Sequence, residues 1–184
     1  MVCDGMNMAT GLKRWRAGNE RGFSLIEVVI VVAIIGILLA IALPPFVSWR
    51  KTLSYRQTAR GIQSMLKEAK SITITRNMQH MVVIEPGNSS YKLMPGNRAY
   101  NTAATGWGAA LQTVTSPPGV TIRSKSDGTS SDNVYIQFNP NGTVRLSAPD
   151  GTASDGNVTV NDGSSVIFCI TVSASGRIRM EKRY

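Results

Sequence analysis

The chain has 184 residues, with 20 Lys and Arg against 11 Asp and Glu, for a formal net charge of +9. That length suits one domain with at most an appendage, and one histidine with two cysteines leaves no His/Cys cluster for zinc or redox chemistry. Excess positive charge of this size serves solubility in most proteins and otherwise marks an anionic partner, nucleic acid or lipid.

Residues 1–22 are polar and carry Lys13, Arg14, Arg16 and Arg21 against Asp4 and Glu20. Residues 23–43 follow, with only Ser24 and Glu27 polar; as a helix they would span about 31 Å, the thickness of a hydrocarbon core. The basic flank predicts a cytoplasmic N-terminus, although Arg50, Lys51 and Arg56 beyond the span bring the positive-inside count close. Glu27 is the difficulty, because a carboxylate at the centre of a bilayer helix costs about 2.5–3.5 kcal/mol. Three readings fit. A secretory signal cut after Ala40-Ile41-Ala42 explains the basic start, but leaves an acid in the apolar run and prolines just past the cut. A plain single-pass anchor leaves Glu27 without a partner. The third is a leader cut ahead of the apolar run, which is then kept.

Pro44-Pro45 should kink or melt the helix, since proline lacks an N–H and clashes with the preceding turn. Helical pattern then resumes, with Phe46, Trp49 and Leu53, then Ile62, Met65, Leu66, Ala69 and Ile72 at threes and fours. Arg50, Lys51, Arg56, Arg60 and Lys67 take the other face. One helix is predicted over 23–77, bent at the prolines, with residues 44–77 as its amphipathic half packed on a globular domain.

From 78 to 184 the period turns towards two. "MVVIE" and "YKLM" pair across Pro86-Gly87-Asn88; "VTIRS", "VYIQF", "TVRL", "SVIFCITV" and "RIRM" read as further strands. Stretches 95–116 and 148–164 read as long polar surface loops, and the Asp-Gly pairs at Asp127, Asp150, Asp155 and Asp162 as turns. Cys169, in a nearly all-apolar strand, reads as a small buried hydrophobe. Cys3 precedes the apolar run, so a membrane between them would keep the two cysteines from pairing. The expected fold is α+β: a long N-terminal helix, transmembrane in its first half, on an antiparallel sheet domain.

Nothing assembles a catalytic or cofactor site. His80, at the helix-to-strand junction, reads as an exposed or satisfied turn residue, and the Asp-Gly turns lack EF-hand spacing. No enzyme activity, metal or cofactor is expected.

The stretch "RGFSLIEVVIVVAIIGIL" resembles the N-terminus of type IV pilins and type II secretion pseudopilins: a basic leader, Gly, Phe, an acid four residues on, then a long apolar helix. The resemblance implies that a prepilin peptidase cuts between Gly22 and Phe23, removes residues 1–22 and methylates the new amine of Phe23. The net charge would fall from +9 to +7, because the leader carries four cations and two acids. It also implies a role for Glu27 in assembly. In low dielectric an amine and a carboxylate attract strongly while either alone is costly, so Glu27 would pair with the Phe23 amine of a neighbouring subunit. The implied location is the bacterial inner membrane, then a pilus, the periplasm or the cell surface.

Beyond the signal, "ITRNMQHMVVI", "VYIQFNPNGTV" and "ITVSASGRIRM" resemble the FimT/GspH family of minor pilins and pseudopilins. Two functions follow from that resemblance. FimT-like members belong to type IV pili, and some bind DNA in natural transformation through a C-terminal GRxR motif, matched here by Gly176-Arg177-Ile178-Arg179. GspH-like members are structural minor subunits of type II secretion pseudopili. Strand alternation independently puts Arg177 and Arg179 on one face and Ile178 and Met180 on the other. Lys182 and Arg183 would extend the patch, and Tyr184 could add a stacking ring. Arginine pairs suit phosphate; the plainer reading is solvated charge that keeps an edge strand from aggregating. Arg123, Lys125 and Arg145 are further cations whose place the sequence leaves open.

Overall fold

The computed structural model describes residues 22–98, 104 and 106–183. The expected leader therefore lies, Gly22 apart, outside the described residues, as does Tyr184. The chain divides into two compact units, Met1–Pro44 and Pro45–Tyr184.

The described part of the first unit is the start of α1, Leu25–Arg76. Ser24 begins it: its carbonyl accepts from the backbone N–H groups of Glu27 and Val28 at 3.0 and 3.2 Å. Glu27 falls in the first turn, where a carboxylate complements the helix dipole. Residues 25–43 are exposed throughout, and the run is long and apolar enough to cross a membrane. The melted stretch expected at Pro44-Pro45 does not occur, since α1 is unbroken there. The two prolines withhold their N–H groups only from the carbonyls four residues back, and the Ser48 hydroxyl donates to the Pro45 carbonyl at 2.9 Å.

In the second unit, α1 has the predicted two faces only from Ala59 onward, because Phe46, Trp49 and Leu53, expected on the packed side, are exposed. Ala59, Ile62, Met65, Leu66 and Ala69 are buried, while Arg56, Arg60 and Lys67 are exposed. Asn77, at φ 50°, ends the helix in the left-handed conformation that Asn tolerates.

Among the described residues nine strands follow: β1 His80–Glu85, β2 Ser90–Pro95, β3 Gln112–Thr115, β4 Thr121–Ser124, β5 Val134–Phe138, β6 Val144–Arg145, β7 Asn157–Asn161, β8 Val166–Val172 and β9 Ile178–Lys182. They form two antiparallel sheets, ordered β3-β2-β1-β5-β6 and β4-β7-β8-β9. The predicted hairpins β1–β2 and β5–β6 are both present. Val82, Ile84, Leu93, Ile136 and Phe138 of the first sheet share one core with Ile122, Val158, Val160, Ile170 and Val172 of the second and with the buried face of α1. Each such side chain withdrawn from water contributes about 1.5–3 kcal/mol.

Two expected loops are not wholly loops. β3 lies within 95–116 and pairs with β2. β7 lies within 148–164 and is an inner strand of the second sheet, with Val158, Thr159 and Val160 fully buried. Polar Asn and Thr mask a two-residue period there, and Asx turns at Asp155 and Asp162 bracket it. Asp155-Gly156, a turn as expected, leads straight into β7. Of the two readings of His80, exposed or satisfied, the structure shows the satisfied one, at a strand start and not in a turn. It opens β1 with 1% exposure, its Nδ1 2.9 Å from the Met78 carbonyl and 3.2 Å from the Thr73 hydroxyl. Cys169 is a free, buried thiol.

Candidate functional site

The first candidate site is the head of α1. Gly22 and Phe23 are non-helical and exposed, Phe23 by 83%. Glu27 stands one helical turn on, also exposed, and among the described residues no side-chain donor meets its carboxylate. Glu85 shows what an internally satisfied acid looks like in the same chain. Lys92 donates to it at 2.7 Å, Ser90 and Asn88 at 3.1 and 3.4 Å, and the Lys92 hydrogen bond holds its carboxyl below the usual range.

The second candidate is β9, an edge strand of the four-stranded sheet. Arg177 and Arg179 are exposed, while Ile178 and Met180 are half-buried against the core, as alternation predicts. Two details differ from a uniform basic strip. Lys182 falls in the phase of Ile178 and Met180, away from the arginines, and Glu181 takes the next position on the arginine face. Arg183 lies past the strand end, exposed, its N–H donating to the Ile167 carbonyl at 2.9 Å. Of the other cations, Arg123 sits on the far edge strand, β4, and donates to the Ser131 hydroxyl; Arg145 is exposed on β6 of the other sheet.

The glycine that precedes Arg177 has a structural task. Gly176 N–H donates to the Ser173 carbonyl at 2.8 Å, Ser173 N–H to the Arg177 carbonyl at 3.0 Å, and Gly176 has φ +75°. This is a tight turn closed by a left-handed residue, which glycine adopts without strain. A Cβ at Gly176 would also come within 2.2 Å of the Gly142 carbonyl oxygen, in the matching β5–β6 turn. Val144 N–H bonds the Ala174 carbonyl at 2.8 Å, and the Lys70 ammonium donates to the Gly176 carbonyl at 2.9 Å. The base of β9 is thus clamped to the helix and to the other sheet. Sequence reasoning missed Lys70, whose position four residues after Leu66 and three before Thr73, on the buried stripe, was the available signal.

Among the described residues no group of three or more His, Cys, Asp or Glu side chains gathers to hold a metal. Burial lowers the His80 pKa from its ordinary 6.5, against the opposing hydrogen bond to Met78 and with a smaller push the same way from Arg76.

An exposed apolar helix with a free acid in its first turn, continued into a helix-backed antiparallel domain, defines a pilin-like filament subunit. A profile described as "Prokaryotic N-terminal methylation motif" matches residues 18–43, and one described as "Type II transport protein GspH" matches residues 58–176. The second covers well over half of the chain, and the protein belongs to that family of structural minor pilins and pseudopilins. Two proteins named "Fimbrial protein" from Pseudomonas aeruginosa are each 27% identical over 135 residues, 73% of this chain and 71% of theirs. In solved structures, the type IV minor pilin FimU of Pseudomonas aeruginosa matches in one crystal form with a TM-score of 0.50 and 14% identity, over 72% of this chain and 92% of that one. Another crystal form gives 0.47 and 15%, over 68% and 91%. The family motif implies processing by a prepilin peptidase and assembly with other pilin subunits, and with the apolar helix it fits membrane anchoring. The GspH match ends at Gly176, so Arg177 and Arg179 lie beyond it.

Proposed function

We propose that the protein is a minor subunit of a type IV pilus, FimT-like in that β9 binds DNA during uptake for natural transformation. Residues 1–22 are removed after Gly22 and the amine of Phe23 is methylated. Residues 23–43 hold the subunit in the inner membrane with the N-terminus cytoplasmic, then enter the filament core, where Glu27 pairs with a neighbour's amine. Residues 44–77 carry the domain of 78–184. The observation that carries the DNA reading is the exposure of Arg177, at the entry to the edge strand β9, and of Arg179 within it, above a clamped base. Two guanidinium groups on a clamped backbone suit adjacent phosphates. Arg183 and Lys182 supply further charge near the strand end.

A second reading is a GspH-like pseudopilin with a purely structural role, its arginines contacting other subunits. Glu181 favours it, since an acid on the arginine face weakens attraction for a polyanion. Titrating the unit from Pro45 onward with short duplex DNA at several salt concentrations separates the two. With 3–4 phosphates neutralised, the log–log salt slope should be roughly −3. Arg177→Gln/Arg179→Gln should abolish binding with folding intact, and Glu181→Gln should tighten it. Absence of binding at low salt would leave the structural reading, and binding unchanged by the double substitution would put any DNA site elsewhere.

A further inference from the structure

Three charges outside the sites above share one groove of about 390 Å³ in the second unit. Arg50, Lys51, Ser54 and Tyr55 line it from α1, three- and four-residue spacing placing them along one side of the helix. Val120 and Asp162 line it from the second sheet. Thr121 pairs with Asn161 across β4 and β7, so the residue before the one strand and the residue after the other stand side by side. Asp162 is held in place: its Oδ1 accepts from the backbone N–H groups of Ser164 and Ser165 at 3.0 and 2.8 Å and from the Ser164 hydroxyl at 3.0 Å. Those bonds, the Ser164 N–H first, keep its carboxyl below the usual range. Among the described residues no ion pair joins Asp162 to Arg50 or Lys51. Two cations and a carboxylate thus line one groove unpaired, a pattern complementary to a zwitterion carrying phosphate and ammonium a short distance apart.

Position along the chain identifies the source of such a group. Arg50 stands seven residues beyond Leu43, where the apolar run ends, about 10 Å of helix rise. Helical side chains lean back towards the N-terminus, and Arg and Lys stems carry their charged heads further. Cations this few residues past a membrane run are within chain reach of the headgroup layer, about 5–7 Å deep on each side of the hydrocarbon. Phe46 and Trp49, with ring centroids 5.9 Å apart, are 52% and 57% exposed; exposed aromatic rings at this point of a membrane chain mark the membrane–water interface.

We infer that this groove binds the headgroup of a phosphatidylethanolamine-type lipid, its phosphate against Arg50 and Lys51 and its primary ammonium on Asp162. Bound there, the lipid fixes the second unit at the membrane surface until the subunit enters a filament. The inference rests on residues 23–43 spanning the bilayer.

The test uses the full chain in nanodiscs holding equal parts phosphatidylethanolamine, phosphatidylglycerol and phosphatidylcholine, with retained lipids counted by native mass spectrometry. Wild type should keep phosphatidylethanolamine selectively, because phosphatidylglycerol has no ammonium and choline has no N–H to donate. Asp162→Asn keeps the Oδ1 acceptor but loses the charge, and should lower that selectivity about tenfold, the worth of one charge-assisted hydrogen bond. Arg50→Gln/Lys51→Gln should lose retention of all three lipids. Equal retention of the three by wild type, an unchanged profile in Asp162→Asn, or displacement of the lipid by inorganic phosphate alone would overturn the inference. Flotation of the chain with vesicles is read in parallel: failure to float would overturn the membrane span itself, a separate result.

Discussion

The two halves of α1 are one continuous helix with opposite needs. Its first half, residues 25–43, has no buried position, while its second half places Ala59, Ile62, Leu66 and Ala69 at 0% exposure within the core. The same contrast holds for acids. Glu85 gathers three side-chain donors from its own chain, whereas Glu27 has none among the described residues. The lesson is that the second half is stabilised from within, and the first must be stabilised by something else: lipid before assembly, other subunits after it. Burial of a long apolar stretch is too favourable to be left undone, so an exposed stretch of this size is itself evidence of a partner.

Blocking the hand-over between those partners should give the largest effect. Gly22→Leu should leave all of the chain as uncut precursor in the membrane, visible as a larger band on an immunoblot; normal processing would refute the assigned cut. Next come the two halves compared directly. Leu66→Ala should destabilise the folded unit by about 2–5 kcal/mol through the cavity it leaves, and Leu38→Ala should leave it within about 0.5 kcal/mol, both measured by denaturant unfolding in detergent. Equal effects would break the distinction between inner and outer stabilisation. The smallest effect concerns His80, buried beside Thr73 in the second unit. Its folded pKa lies below 6.5, so above pH 6.5 both states are neutral and stability is full. As pH falls below 6.5 the unfolded chain takes up the proton first, and stability declines until the folded pKa is reached. The Tm should therefore drop between pH 7 and pH 5, and His80→Gln should flatten that slope.

Much of this was legible in the sequence because it depends on periodicity. The buried positions Ile62, Met65, Leu66 and Ala69 recur at helical spacing, and the β1–β2 and β5–β6 hairpins follow from alternation around Pro-Gly-Asn and Asn-Gly turns. What stayed hidden depends on tertiary context. β7 spells Asn-Val-Thr-Val-Asn, too polar and too short to stand out, yet Thr159 is fully buried because strands lie on both sides of it, its hydroxyl donating to the Arg123 carbonyl at 3.3 Å. β3 is mostly exposed and exists only as an edge against β2. For the candidate site, alternation placed Arg177 and Arg179 correctly, but the attention to positive charge passed over Glu181, two residues further along the same face. The clamp from Lys70 to Gly176 joins residues 106 apart, a contact no local pattern carries.

The central claim, that the first half of α1 finds its charge partner on another subunit, is tested most directly through Glu27. Sheared filaments and membranes from cells carrying Glu27→Ala should be probed side by side for the protein. The account predicts a processed chain present in the membrane at the wild-type level and absent from filaments. Incorporation equal to wild type would show that no neighbour's amine depends on that carboxylate.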